Sequence, residues 1–419
     1  MKNSQNKKES IWILNHYAIT PNMPGGIRHF DFGKELAKRG YRVTIFASSF
    51  HHGQRKELQL TGKEKYKIEN VDGINFVWIK TFPYQKNDWQ RVLNMISYMW
   101  RSYLLGRKIV KINQNIQKPD VIIGSSVHLL AVLSAYWLSK KYKAKFIMEV
   151  RDLWPQTLID IGKFKENNPI VKFLRFLEKF LYKKAEKIIT LLPYADKYIT
   201  KLGISKDKII WIPNGVDISR YKDFGKYNRG ISNNFTLMYF GHHGEANALE
   251  VILKVAKILQ KSKENLEFVF IGDGPEKLKL IQLAKDLKLQ NVEFRDAVSK
   301  DKIAEITSEA DAFIFNLKKA EVFEYGISPN KLFDYMTAGK PIIFSVNTTN
   351  SPVDETGCGI SISPENPKEM AEAVIKLYQM SSEERKKMGQ KGREYVKKYH
   401  NIPILVDKLE KVIQEVVNE

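Results

Sequence analysis

The sequence predicts an α/β protein built of two Rossmann-like domains, on three observations. A chain of 419 residues, 43% apolar and 11% aromatic, exceeds one ordinary hydrophobic core and supplies material for two. Short β-prone runs alternate with helix-spaced apolar patterns along nearly its whole length, as parallel sheets covered by helices require. The alternation is interrupted near the middle, by the turn cluster Pro213-Asn214-Gly215-Val216-Asp217 and the polar stretch 223–234.

The elements follow in order. Residues 10–18 are apolar and β-prone, and a loop with Pro21, Pro24, Gly25 and Gly26 follows. Apolar residues at near-helical spacing from 27 to 39 then predict a helix that Gly40 stops, and 41–47 alternates as a strand. The βα alternation continues with strand 121–124, helix 129–141, strand 145–150 and strand 187–192. Beyond the linker a second series predicts strands at 236–240, 267–271, 292–294, 312–315 and 341–344, with helices at 248–259, 276–287, 301–308 and 329–337. Residues 381–417 read as one long helical tail. The predicted domains are 1–212 and 213–400, with 401–419 returning across the first domain.

Charge is unevenly placed. The net charge is +21, and residues 1–200 hold 35 Lys and Arg against 16 Asp and Glu, a net +19. The first half is therefore expected to face something anionic: nucleic acid, a phosphorylated lipid or an acidic bilayer. No nucleic-acid module is recognisable, and a nucleic-acid partner leaves the second half's loops unexplained. Two segments, 89–116 with Trp89, Trp100 and Tyr103, and 173–187 with Phe173, Phe176 and Phe180, interleave aromatics with Arg and Lys as interfacial helices do. The single Cys358 excludes a disulfide framework and a cysteine-rich zinc site. No run reaches the ~18–20 apolar residues of a spanning helix, and 11–14 is too short for a signal-peptide core. The expected location is cytoplasmic, peripheral on the inner face of the membrane.

Ligands of open α/β sheets bind at the carboxyl ends of the strands, so the loops there carry the chemistry. Gly25-Gly26 permits close backbone approach at a helix N-terminus. Gly241-His242-His243-Gly244 leaves the first strand of the second series and suits a diphosphate cradle, with either histidine as an additional donor or as a bystander. Gly272-Asp273-Gly274-Pro275 reads as architecture. In Ser328-Pro329-Asn330-Lys331-Leu332-Phe333-Asp334, Ser328 is a good N-cap and Pro329 a good first helical residue. Lys331 in the first turn opposes the helix dipole, which makes sense beside a bound anion. Asp334 shares a face with Asn330 and is expected to reach ribose hydroxyls.

Taken in order, these motifs together with Glu149-Val150-Arg151-Asp152-Leu153-Trp154-Pro155 resemble the retaining glycosyltransferases of family 4, in the subgroup that builds O-antigens, capsules and other bacterial surface polysaccharides. The resemblance implies the GT-B fold, two Rossmann-like domains facing across a cleft, with the nucleotide sugar held by the second and the acceptor by the first. It further implies retention at the anomeric carbon, UDP as the nucleotide, a lipid-linked saccharide acceptor and no metal. On this reading Lys331 stabilises the departing diphosphate, Asp152 or His128 positions the acceptor hydroxyl, Arg151 binds the acceptor's phosphate and Trp154 lies beside it. Two departures stand out. The family's paired glutamates fall here on Gly326 and Asp334, so the first acid is absent and the donor-sugar contact must come from elsewhere, with backbone at Gly326 and Ile327 as one candidate. The family's Arg and Lys pair in the diphosphate loop is replaced by His242 and His243. A sugar-nucleotide epimerase of similar fold and a nucleotide-binding scaffold at the membrane remain open alternatives.

Overall fold

The computed structural model describes residues 8–86, 88–126, 128–160, 164–222, 234–261 and 265–419. The chain divides into two compact units. One comprises Met1–Thr20, Ile27–Pro213 and Ile402–Glu419, and the other Pro21–Gly26 and Asn214–Asn401. The boundary lies one residue beyond the expected 212/213. Of the polar stretch 223–234, all but Asn234 lies outside the described residues.

The first unit runs β1 (Ser10–Leu14), α1 (Arg28–Lys38), β2 (Arg42–Ser48), a short ribbon β3 (Phe50–His51) and β4 (Lys56–Glu57), β5 (Tyr66–Val71) and β6 (Ile74–Ile79). It continues with α2 (Trp89–Ile112), β7 (Val121–Ser126), α3 (Leu129–Tyr142), β8 (Lys145–Val150), α4 (Gln156–Asp160), α5 (Pro169–Lys184), β9 (Lys187–Thr190), α6 (Ala195–Ile199) and β10 (Ile209–Trp211). Its eight-stranded sheet has the order β10-β9-β8-β7-β1-β2-β6-β5 and is parallel except at the β5–β6 edge. Every residue of β1 is buried, as the continuous apolar run Ile11 to Leu14 of a central parallel strand demands. The β5–β6 hairpin was not anticipated. Its turn is Asp72-Gly73 with both residues at positive φ, a two-residue hairpin signal that was present in the sequence.

The second unit runs β11 (Phe235–Phe240), α7 (Leu249–Leu259), β12 (Leu266–Ile271), α8 (Lys277–Asp286), β13 (Val292–Arg295), α9 (Ile303–Ser308), β14 (Ala312–Asn316), α10 (Asn330–Thr337), β15 (Ile342–Ser345), α11 (Pro352–Thr356), β16 (Gly359–Ile362), α12 (Pro367–Gln379) and α13 (Ser382–Tyr399). Its sheet order is β13-β12-β11-β14-β15-β16, wholly parallel. Two clusters cover it: Leu249, Ile252 and Val374 on one face, and Leu332, Tyr335 and Val396 on the other.

The single helix expected over 381–417 is two. α13 ends at Tyr399, and α14 (Ile402–Asn418) belongs to the first unit. There Glu410 accepts from Lys8, Arg39 and Tyr41, and Arg39 also pairs with Asp407. The break lies where the chain passes from one unit to the other.

In each sheet the strand order reverses once around the first strand. The switch lies between β1 and β7 in the first unit and between β11 and β14 in the second, and it is there, at the carboxyl ends, that such folds bind ligands.

Candidate active site

In the second unit the loops after β11 and β14 meet the first turn of α10. Lys331 reaches back so that its Nζ donates to Tyr239 Oη at 2.9 Å and to Asn247 Oδ1, above the rings of Tyr239 and Phe315 at 4.5 and 5.1 Å. No carboxylate pairs with it among the described residues, and burial pushes its pKa down to about 7. Gly241 has φ +144°, and a Cβ there would lie 3.1 Å from Lys331 Cδ. Gly26, preceded by Gly25 at φ +137°, lies where a Cβ would be 2.5 Å from Asn330 Nδ2. The structure thus brings Gly26, Gly241, Asn330 and Lys331 together within one unit. Gly241→Ala is expected to cost about 1–3 kcal/mol in backbone strain and to push Lys331 aside. Thermal denaturation with and without nucleotide measures both effects.

The two histidines separate. His242 is exposed beside Gly244. His243 is fully buried among Tyr239, Phe270 and Phe294, its ring nitrogens make no hydrogen bond among the described residues, and burial lowers its pKa to about 4. The ring is enclosed by these aromatic side chains and is not exposed at the surface of the loop. Gly272 and Gly274 lie so close to the backbones of Gly241 and His243 that neither tolerates a Cβ, which explains the architectural glycines.

Three expectations require correction. Ser328 does not cap α10: the N-cap position is Pro329, without a side-chain hydrogen bond, and Ser328 Oγ instead accepts from Asn214 N at 2.8 Å. Asp334 is buried, and its carboxylate is engaged by Tyr221 and Lys300. One helical turn puts it in line with Asn330, but the face it occupies is turned to those two side chains and not to an open ribose site. The backbone at Gly326 and Ile327 is spoken for as well, because Phe323 O accepts from Gly326 N and Asn350 Oδ1 from Ile327 N.

In the first unit His128 is buried and caps α3, its Nδ1 accepting from Ala131 N while Nε2 lies 2.7 Å from His16 Nδ1. Both ring nitrogens are engaged, so His128 does not itself present to an acceptor hydroxyl. Asp152 is exposed, although the surrounding protein raises its pKa against the opposing charge of Arg151. Arg151 and Trp154 are half-buried, and the Trp154–Pro155 peptide is cis.

One role was missed, that of Glu149, which the sequence offered only as the first residue of the Glu149-Val150-Arg151-Asp152-Leu153-Trp154-Pro155 motif. Glu149, buried at the end of β8, accepts from Arg28 Nε at 3.0 Å, His29 Nε2 at 2.7 Å and Ser125 Oγ at 2.8 Å. The Arg28 and His29 charges hold its carboxyl well below the usual range against the cost of burial. Arg28 also donates to the carbonyls of Ile212 and Pro213, fixing the segment that leaves the unit. The available signal was an acid inside an otherwise apolar strand.

Comparison with known proteins agrees with this architecture. Residues 28–220 match the family described as Glycosyltransferase Family 4, and residues 226–395 match Glycosyl transferases group 1. WcaI of Escherichia coli (strain K12), named as a colanic acid biosynthesis glycosyl transferase, is 22% identical over 354 residues, 81% of this chain and 84% of that one. Sucrose-phosphate synthase from Thermosynechococcus elongatus shares the fold with a TM-score of 0.75 at 15% identity, over 98% of this chain and 99% of that one. HepE of Anabaena, solved with UDP and glucose, gives a TM-score of 0.67 at 14% identity over 97% and 100%. With its two halves matched in chain order and its two parallel sheets shared with these structures, the chain belongs to the family 4 glycosyltransferases of GT-B fold.

Proposed function

We propose that the protein transfers a sugar from a UDP-sugar to a lipid-linked saccharide acceptor in cell-surface polysaccharide synthesis, with retention at the anomeric carbon and without a metal ion. The observation that carries this reading is Lys331: an ammonium with no carboxylate partner among the described residues, set beside Gly241 at the switch point of the second sheet. A preorganised cation in a water-poor site stabilises charge developing on a departing diphosphate, and the free N–H groups at the start of α10 add to it. In the transfer the bond from the anomeric carbon to the phosphate oxygen breaks and a bond to the acceptor oxygen forms on the same face. The acceptor's hydroxyl proton passes to the leaving phosphate oxygen. UDP as the nucleotide is supported by HepE, which was solved with it, and a polysaccharide product by the name of WcaI. The charge balance is assigned to Lys331 and the first turn of α10.

The expected result is thermal stabilisation by UDP and UDP-sugars in the presence of EDTA, above that by GDP or ADP. No shift with any nucleotide, or a shift that EDTA removes, rejects the reading. Because an ordinary lysine pKa is 10.5 and that of Lys331 is about 7, diphosphate binding should be tightest below pH 7 and weaken as pH rises through that value. Titration calorimetry across pH 6–9 measures the slope.

Membrane association is part of the proposal. No helix among the described residues is long and apolar enough to span a bilayer. On α2 and α5 the apolar stripe divides. Met95, Tyr98, Leu177 and Leu181 are buried, whereas Trp89, Trp100, Phe173 and Phe176 remain exposed among Arg and Lys. Replacing Phe173 and Phe176 together with serine is expected to weaken co-sedimentation with phosphatidylglycerol vesicles about tenfold or more. Unchanged binding would remove α5 from the membrane face.

A further inference from the structure

At the switch point of the first sheet, hydrogen-bonding geometry specifies a proton arrangement. Ala131 N donates to His128 Nδ1, so that nitrogen carries no proton, and the neutral ring must bear its proton on Nε2. That Nε2–H donates to His16 Nδ1 at 2.7 Å. His16 must in turn carry its proton on Nε2. This last N–H is fully buried and has no acceptor among the described residues. The ring cannot turn away from its task, because it is stacked between Tyr98 at 4.3 Å and Tyr17 at 4.4 Å.

Two more donors share the neighbourhood. The Tyr17 hydroxyl and Arg91 Nε are buried, and the Arg91 guanidinium lies against the Tyr17 hydroxyl as its hydrogen-bonding neighbour. Arg91 lies in the first turn of α2 and forms no ion pair among the described residues, while its charge is felt by His16, Tyr17 and His128 alike. Asp88, the cap of that helix, is turned to Gln90 N. A buried donor without an acceptor is rare in folded proteins, and the His16 Nε2–H beside a guanidinium that no carboxylate balances among the described residues matches an oxygen-rich anion. The same turn of α2 exposes Trp89, Val92 and Leu93 at 64%, 50% and 37%.

We propose that His16, Tyr17 and Arg91 receive a phosphoryl group, that of a lipid-linked acceptor whose hydrocarbon runs along Trp89, Val92 and Leu93. The site rests on the transferase reading and deepens it by naming where the acceptor's phosphate is held. The group that meets the acceptor is then His16, with His128 behind it as the positioning residue that sets its tautomer.

The test uses the full chain and three probes: farnesyl phosphate, farnesol and inorganic phosphate, each titrated against tryptophan fluorescence. Farnesyl phosphate is expected to bind, with farnesol and inorganic phosphate each about tenfold weaker or more. Arg91→Met and His16→Asn are each expected to lose about tenfold or more in farnesyl phosphate affinity while keeping the UDP-dependent thermal shift, which also reports that they fold. Arg91→Lys should recover part of the loss. The site is wrong if Arg91→Met binds within about twofold of the parent, or if farnesol binds as well as its phosphate. Equal binding of inorganic phosphate would overturn the lipid as its source. Loss of the UDP shift in the unaltered protein would instead sink the transferase reading itself, so the two failures are told apart.

Discussion

Lys331→Met is expected to lower sugar transfer by about 10²–10³-fold and to abolish the UDP-dependent thermal shift, while raising the melting temperature of the ligand-free protein. The opposite signs have one cause. Burial holds the lysine pKa at about 7 against 10.5, so near neutral pH the unfolded chain binds more protons at this position than the folded one. The charge therefore destabilises the fold fully below pH 7, and the penalty fades as pH rises toward 10.5. Methionine keeps the packing against Tyr239 and Phe315 and removes the penalty, so the gain in Tm should shrink under alkaline conditions. A lysine whose loss merely weakened the fold would lower Tm along with activity, and that outcome would remove Lys331 from the proposed site.

Glu149→Ala is expected to destabilise the protein by about 3–5 kcal/mol, the cost of leaving a buried guanidinium without its partner. Arg28 and His29 would both lose their acceptor, and the hold of Arg28 on the Ile212 and Pro213 carbonyls would slacken. Since the folded pKa of Glu149 lies well below its ordinary value, its contribution is present above about pH 4.5 and is lost as pH falls through the folded value. Urea unfolding at pH 7 measures the first effect, and its pH dependence below 5 the second. The double replacement Arg28→Met with Glu149→Leu should cost less than the single Glu149→Ala, because it removes both charges at once. A double variant as unstable as the sum of its parts would show that the pair is not coupled.

Much of this molecule was legible in the order of its residues. Apolar runs such as Ile11 to Leu14 and Phe268 to Ile271 identify parallel strands because both faces of each are covered. Gly26, Gly241 and Lys331 were singled out by their position in loops at the carboxyl ends of strands, and the folded second unit brings them together with Asn330. The β5–β6 hairpin was legible too, through Asp72-Gly73, and was passed over.

What the residues alone determined is therefore the alternation of strand and helix, the two halves, the basic first half and the loops at the strand ends. These depend on periodicity, glycine and charge, which act over a few neighbouring positions. Tertiary structure decided the rest. Asn214 claims Ser328 from 114 positions away, Lys300 and Tyr221 enclose Asp334, and His16 comes to complete His128 across 112 positions. A polar side chain's role is set by the partner that satisfies it, and when that partner lies on another strand or helix, only the folded chain brings the two together.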